Sequence, residues 1–120
     1  MTIDHDSTTP VVDLDDASFD DAITGRWTAV DLWAPWCGPC RRFMPAFEAT
    51  ARDLADRSET LAFARVNVDD NPGVADRVAP KSIPTVVLYD PDGSEVARVS
   101  GFLGPDDLDA VLAHLPTGIR

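Results

Sequence analysis

The apolar positions of this chain follow two rhythms that alternate from residue 11 onward. Residues 11–14 (VVDL), 27–33 (WTAVDLW), 61–68, 85–89 and 95–100 are short runs rich in β-branched and aromatic side chains, the composition of strands. Between most of them, apolar residues recur at three- and four-residue steps, the spacing of one helix face. The longest such stretch follows Trp36. Cys40, Phe43, Met44, Phe47, Ala51 and Leu54 share one face, and Arg41, Arg42, Glu48, Arg52, Asp53 and Arg57 take the other. Glu48–Arg52 and Asp53–Arg57 have the spacing of favourable ion pairs along a helix. Pro45 lies inside this helix and predicts a kink, because it removes a backbone donor and crowds the preceding turn.

Turn and cap residues divide the chain between these runs. Ser18 is placed to cap a short helix through about residue 24, closed by Gly25. Asn71-Pro72 combines a cap with a first-turn proline and opens a second short helix, with Val74 and Val78 inward. Asp90-Pro91-Asp92-Gly93 is a tight turn that joins the last two strands in a hairpin. Pro105 starts a final helix with the stripe Leu108, Val111, Leu112 and Leu115, and Pro116 stops it. The order β-α-β-α-β-α-β-β-α predicts an α/β fold: a central mixed β-sheet flanked by helices on both faces. Residues 1–10 are polar and aperiodic and read as a flexible acidic tail, leaving 11–120 as one domain. There is no internal repeat and no low-complexity segment.

Composition narrows the function classes. A chain of 120 residues that is 44% hydrophobic can build one core without extra staples, which frees a cysteine pair for chemistry. The formal net charge of -11 disfavours nucleic acid and anionic membranes as partners. Asp4, Asp6, Asp13, Asp15, Asp16, Asp20 and Asp21 crowd the first 25 residues, which carry no Lys or Arg and read as a solvated, solubilising end. The first ten residues lack the basic start and apolar stretch of an export signal, and no run is long enough to span a bilayer. The expected compartment is the cytoplasm, where structural disulfides are rare and a C-x-x-C pair points to redox or metal chemistry.

That pair is Cys37 and Cys40 in PWCGPC. Cys37 stands where a buried strand gives way to a helix, and a helix start favours a thiolate through its free N–H groups and positive dipole end. The thiolate is the attacking species in disulfide exchange, so Cys37 is placed as nucleophile. Cys40 lies one turn further in on the core side, placed to resolve the mixed disulfide. Gly38 lets a partner chain approach closely, and Pro39 stiffens the first turn. The competing reading, half of a zinc site, needs four ligands. The chain offers two cysteines, His5 in the loose tail and His114 outside the last apolar stripe. Asp31 interrupts the strand 27–33; either it sits solvated at an edge, or it is a buried carboxylate that needs a partner or a purpose.

The segment AVDLWAPWCGPC, with Pro45, VNVDDNP at 66–72, SIPT at 82–85 and Ser100-Gly101, resembles the thioredoxin family over residues 11–115. The resemblance implies a thioredoxin-like fold and places a cis peptide at Pro84, against the alternative of an ordinary loop proline. It implies that the Ile83 backbone pairs with an extended substrate beside Cys37, with Trp36, Pro84 and Gly101 completing the docking surface. Phe102 would enlarge that apolar patch or only pack, and Trp33 would pack behind the site. The resemblance assigns Asp31 to moving the proton on and off the resolving thiol. Two positions depart from the family: Arg65 where Lys is common, and Pro80 where an aliphatic residue is common. On adjacent strands Arg65 and Asp31 are expected to form a direct or water-bridged pair that favours the ionised carboxylate.

The implied function is a protein-disulfide reductase, working as a monomer on disulfide-containing client proteins and recharged by a flavin- and NADPH-dependent thioredoxin reductase. The chain carries no cofactor motif of its own. The alternatives are a binding or chaperone module on the same fold with secondary redox activity, and an oxidase or isomerase. Gly-Pro between the cysteines resembles the reducing members.

Overall fold

In the computed structural model, which describes residues 10–55, 60–101, 104–117 and 119, the five apolar runs join in one sheet. The strands are β1 (Val11–Leu14), β2 (Trp27–Trp33), β3 (Leu61–Asn67), β4 (Thr85–Tyr89) and β5 (Glu95–Ser100), in the spatial order β1-β3-β2-β4-β5. β1, β3 and β2 run parallel, and β4 and β5 are antiparallel additions, so the sheet is mixed as expected. Parallel neighbours need crossover connections, and helices supply them. These are α1 (Phe19–Ala22) between β1 and β2, and α2 (Gly38–Ala55) between β2 and β3. α3 (Pro72–Val78) leads to β4, and α4 (Pro105–Leu112) follows β5. β4 and β5 need only the tight turn, in which Gly93 takes φ +83° and its N–H donates to the carbonyl of Asp90.

Successive residues of a strand point to opposite faces, and β2 is buried along its middle, so it feeds two cores. On one face Ala29 packs with Phe43, Phe47, Ala51 and Leu54 of α2, Phe63 of β3 and the α4 stripe. Phe47 and Phe63 meet edge to face with centroids 5.6 Å apart. Burying each such ring stabilises the fold by roughly 1.5–3 kcal/mol. On the other face Val30 and Leu32 pack with Phe19, Val74, Val78, Val87 and Tyr89. The predicted apolar face of α2 is the buried one, and the helix continues through the exposed Pro45 as a single element.

The caps differ from the sequence reading. The Ser18 hydroxyl does not cap α1; it accepts the Asp15 N–H, while the Asp15 carboxylate accepts the Ser18 N–H. α1 ends at Ala22, short of residue 24, and the Thr24 hydroxyl donates back to the carbonyls of Asp20 and Asp21. The Asn71 side chain does not cap α3 either. Asp16 does so from across the fold, accepting the N–H groups of Gly73 and Val74 at 3.1 and 2.8 Å. Asn71 instead donates to the Asn67 carbonyl and accepts the Asp16 N–H. β3 ends one residue before the expected 68, although the Val68 N–H still donates to the Trp33 carbonyl. Residues 1–9, Arg57 and Phe102 lie outside the described residues.

Candidate functional site

β2 delivers the chain to Ala34-Pro35-Trp36, and a tight turn closed by the Cys37 N–H on the Ala34 carbonyl, 3.1 Å, leads directly into α2. The Cys37 carbonyl accepts the N–H of Arg41, so Cys37 occupies the position just before the first helical residue. One turn on, Cys40 is disulfide-bonded to it, with Cα atoms 5.2 Å apart. The two sulfurs are not equivalent: Cys40 is fully buried, whereas Cys37 retains 4% exposure at the surface end of the cluster Ala34–Cys37–Cys40. The Cys40 N–H donates to Cys37 Sγ at 3.1 Å. After reduction the same N–H and the helix terminus would stabilise a thiolate on Cys37. Pro39 contributes no N–H of its own. A Cβ at Gly38 would stand 3.3 Å from Arg42 Nη1, a tight fit at the surface beside Cys37.

A second segment closes on the first. The Ile83–Pro84 peptide is cis, and the Ile83 carbonyl oxygen lies 3.8 Å from Cys37 Sγ. The Pro84 carbonyl accepts the Gly101 N–H at 3.0 Å, and Gly101 takes φ +101°, a backbone region that favours glycine. The buried Thr85 hydroxyl donates to the Ser82 carbonyl and meets the Ser100 hydroxyl, which ties the loop to β5. Ala79, directly before Pro80, ends α3 in the left-handed region, φ 50°. Trp36 is 67% exposed, and its indole N–H donates to Asp69 at 2.8 Å. Sequence reasoning noted the VNVDDNP segment but gave Asp69 no role. Trp33 is half-buried and packs on the cysteine cluster.

Asp31 is fully buried in β2, in register with Arg65 on β3 and Val86 on β4. Neither carboxylate oxygen has a hydrogen-bond partner. Burial pushes its pKa up to about 8, and the positive charge of Arg65 pulls only partly against that. The solvated-edge reading is excluded. The expected direct pair with Arg65 is also absent. The Arg65 guanidinium donates through Nε to Asp13 at 2.5 Å, lies 3.7 Å from Glu48 and sits over the Trp33 ring. Asp13 and Glu48 keep more contact with water than Asp31, so pairing there costs less desolvation. His114 is exposed, and among the described residues no three His, Cys, Asp or Glu side chains are grouped to hold a metal ion.

The Thioredoxin family pattern matches residues 10–114. A thioredoxin of Staphylococcus aureus is 36% identical over 102 residues, covering 85% of this chain and 94% of its own. Among solved structures, thioredoxin of Malassezia sympodialis superposes with a TM-score of 0.77 at 28% identity, covering 88% of this chain and 90% of its own. Plasmodium falciparum thioredoxin gives the same TM-score and identity, covering 86% of this chain and 97% of its own. The chain belongs to the thioredoxin family and is a protein-disulfide oxidoreductase that works by dithiol–disulfide exchange.

Proposed function

We propose that the two cysteines and Asp31 divide the exchange reaction among themselves. The Cys37 thiolate attacks one sulfur of a client disulfide; a Cys37–client S–S bond forms, and the client's other sulfur leaves as a thiolate that takes up a proton. The Cys40 thiolate then attacks Cys37 Sγ, forming the intramolecular disulfide and releasing the second client thiol. Two electrons pass to the client, and its two thiolates take up two protons from the solvent. Asp31 takes the proton from the Cys40 thiol before that second attack and returns it on re-reduction. Trp36, Gly38, Pro39, Ile83, Pro84 and Gly101 form the docking surface for an extended client segment. The observation that carries the assignment is the asymmetry of the pair: Cys37 keeps a sliver of exposure at the helix start beside the Ile83 carbonyl, and Cys40 is fully buried one turn on.

The family implies disulfide-containing substrates and a reductase partner. The finer reading is a monomer in the cytoplasm, recharged by a flavin- and NADPH-dependent thioredoxin reductase, with neither nucleic acid nor membrane as partner. Among the described residues no helix is long and apolar enough to cross a membrane. Residues 11–120 carry the activity, and residues 1–10 are an appended acidic segment. The test is reduction by purified thioredoxin reductase and NADPH followed by turnover on insulin. Cys37→Ser abolishes turnover, and Cys40→Ser accumulates a covalent client adduct seen by mass spectrometry. Adducts on Cys40 in the Cys37→Ser protein, with none on Cys37 in the converse variant, would reverse the roles. An inactive wild type would leave a binding module.

A further inference from the structure

The sheet order sets three charged residues in one row. Asp13 of β1 is in register with Arg65 of β3, and Arg65 with Asp31 of β2. Residues in register on neighbouring strands stand on the same face, here the face that α2 covers. One guanidinium therefore has a carboxylate on either side, and Glu48 of α2 adds a third at 3.7 Å. Arg65 serves the outer two: Nε and Nη2 reach Asp13 at 2.5 and 3.4 Å, while both oxygens of Asp31 go without a partner. Among the described residues, Arg65 is the charge that acts on Asp31. β4 places Val86 beside it, α4 meets this face through Leu108, Val111 and Leu112, and the start of α2 carries the uncharged Cys37–Cys40 disulfide. Arg41, Arg42, Arg52 and Asp53 lie exposed on the far side of α2.

We propose that Asp13 and Glu48 are positioning residues: they clamp Arg65 at the rim of the sheet and deny Asp31 the partner its register provides. An arginine within about 4–6 Å lowers an aspartate's pKa by about 1–3 units. Direct pairing would thus work against the burial that raises the proton affinity of Asp31, and would leave its carboxylate a weaker base toward the Cys40 thiol. A lysine in place of Arg65 would lack the planar fork that lets one side chain engage Asp13 through two nitrogens. The consequence for catalysis rests on Asp31 being the proton-handling group.

The experiment is an NMR titration of the Asp31 carboxyl in the wild type and in Asp13→Asn/Glu48→Gln, repeated in an Arg65→Met background, alongside the pH profile of insulin reduction. The Asp13 side chain is 71% exposed, so Asp13→Asn serves alone if the double variant folds poorly. Releasing the clamp is expected to lower the Asp31 midpoint by about 1–3 pH units with Arg65 present, and to leave it nearly unmoved in the Arg65→Met background. An unchanged midpoint overturns the clamp. An equal fall without Arg65 also overturns it, since the acids would then act on Asp31 by direct repulsion. A lowered midpoint with an unmoved pH profile upholds the clamp and overturns the catalytic assignment of Asp31 instead.

Discussion

The two faces of the sheet treat a carboxylate in opposite ways. On the side of α1 and α3, Asp16 accepts two backbone N–H groups at the start of α3 and gives its own N–H to Asn71. Thr28, buried on that face, donates to the carbonyls of Ala22 and Arg26. On the side of α2 and α4, Asp31 has no hydrogen-bond partner, and the buried indole N–H of Trp33 has none either. Buried polar groups are nearly always paired, so an unpaired one marks a place where something other than stability is served. The unpaired carboxylate shares its face with α2, whose start carries the redox pair.

The contrast breaks most visibly at Asp31. Its folded pKa of about 8 stands above the ordinary aspartate value of 3.8. Between those values the folded state binds more protons than the unfolded one, so stability falls as pH rises through this window. Asp31→Asn is therefore expected to stabilise the oxidised protein on the order of 2–4 kcal/mol near pH 8. The gain should vanish below about pH 4, while exchange slows. Urea unfolding at both pH values checks this, and a variant no more stable than its parent at pH 8 would remove the idea that Asp31 is held against its solvation.

The disulfide itself is expected to matter less to the fold. It closes a loop of sequence separation 3, for which the chain-entropy model gives about 2 kcal/mol. Reduction should leave the far-ultraviolet circular dichroism unchanged and lower the melting temperature modestly. Loss of secondary structure on adding a reductant would mean that the pair is structural after all. The smallest effect belongs to the other face. Asp16→Ala strands two N–H groups at the α3 start and should cost about 1–2 kcal/mol, the range of a lost helix cap. Insulin turnover should stay within about twofold. A much larger drop in turnover would show that the cap on α3 also governs the cis-proline loop that follows it.

Most of the architecture was legible because it rests on local periodicity. β1, β2, β4 and β5 begin and end where the apolar runs do, and α2 buries the face carrying Phe43, Phe47 and Ala51. The caps were misread because the sequence offers each helix a plausible neighbour, Ser18 or Asn71, whereas the groups that satisfy α3 come from a residue 57 positions away in the chain. The site was legible in its cysteines and its Ile83–Pro84 loop. The Trp36–Asp69 bond, spanning 33 positions, left no periodic trace.

The sequence by itself determined the strands, the helices, the redox pair and the presence of a carboxylate in the middle of the apolar run 27–33, because each depends on residues within a few positions of one another. Only the tertiary structure decided which charge that carboxylate would face. The order β1-β3-β2 sets Asp13, Arg65 and Asp31 side by side although they are far apart in the chain. Which pair then forms is settled by desolvation, since the arginine turns toward the acids that water still reaches and leaves the buried one without a partner.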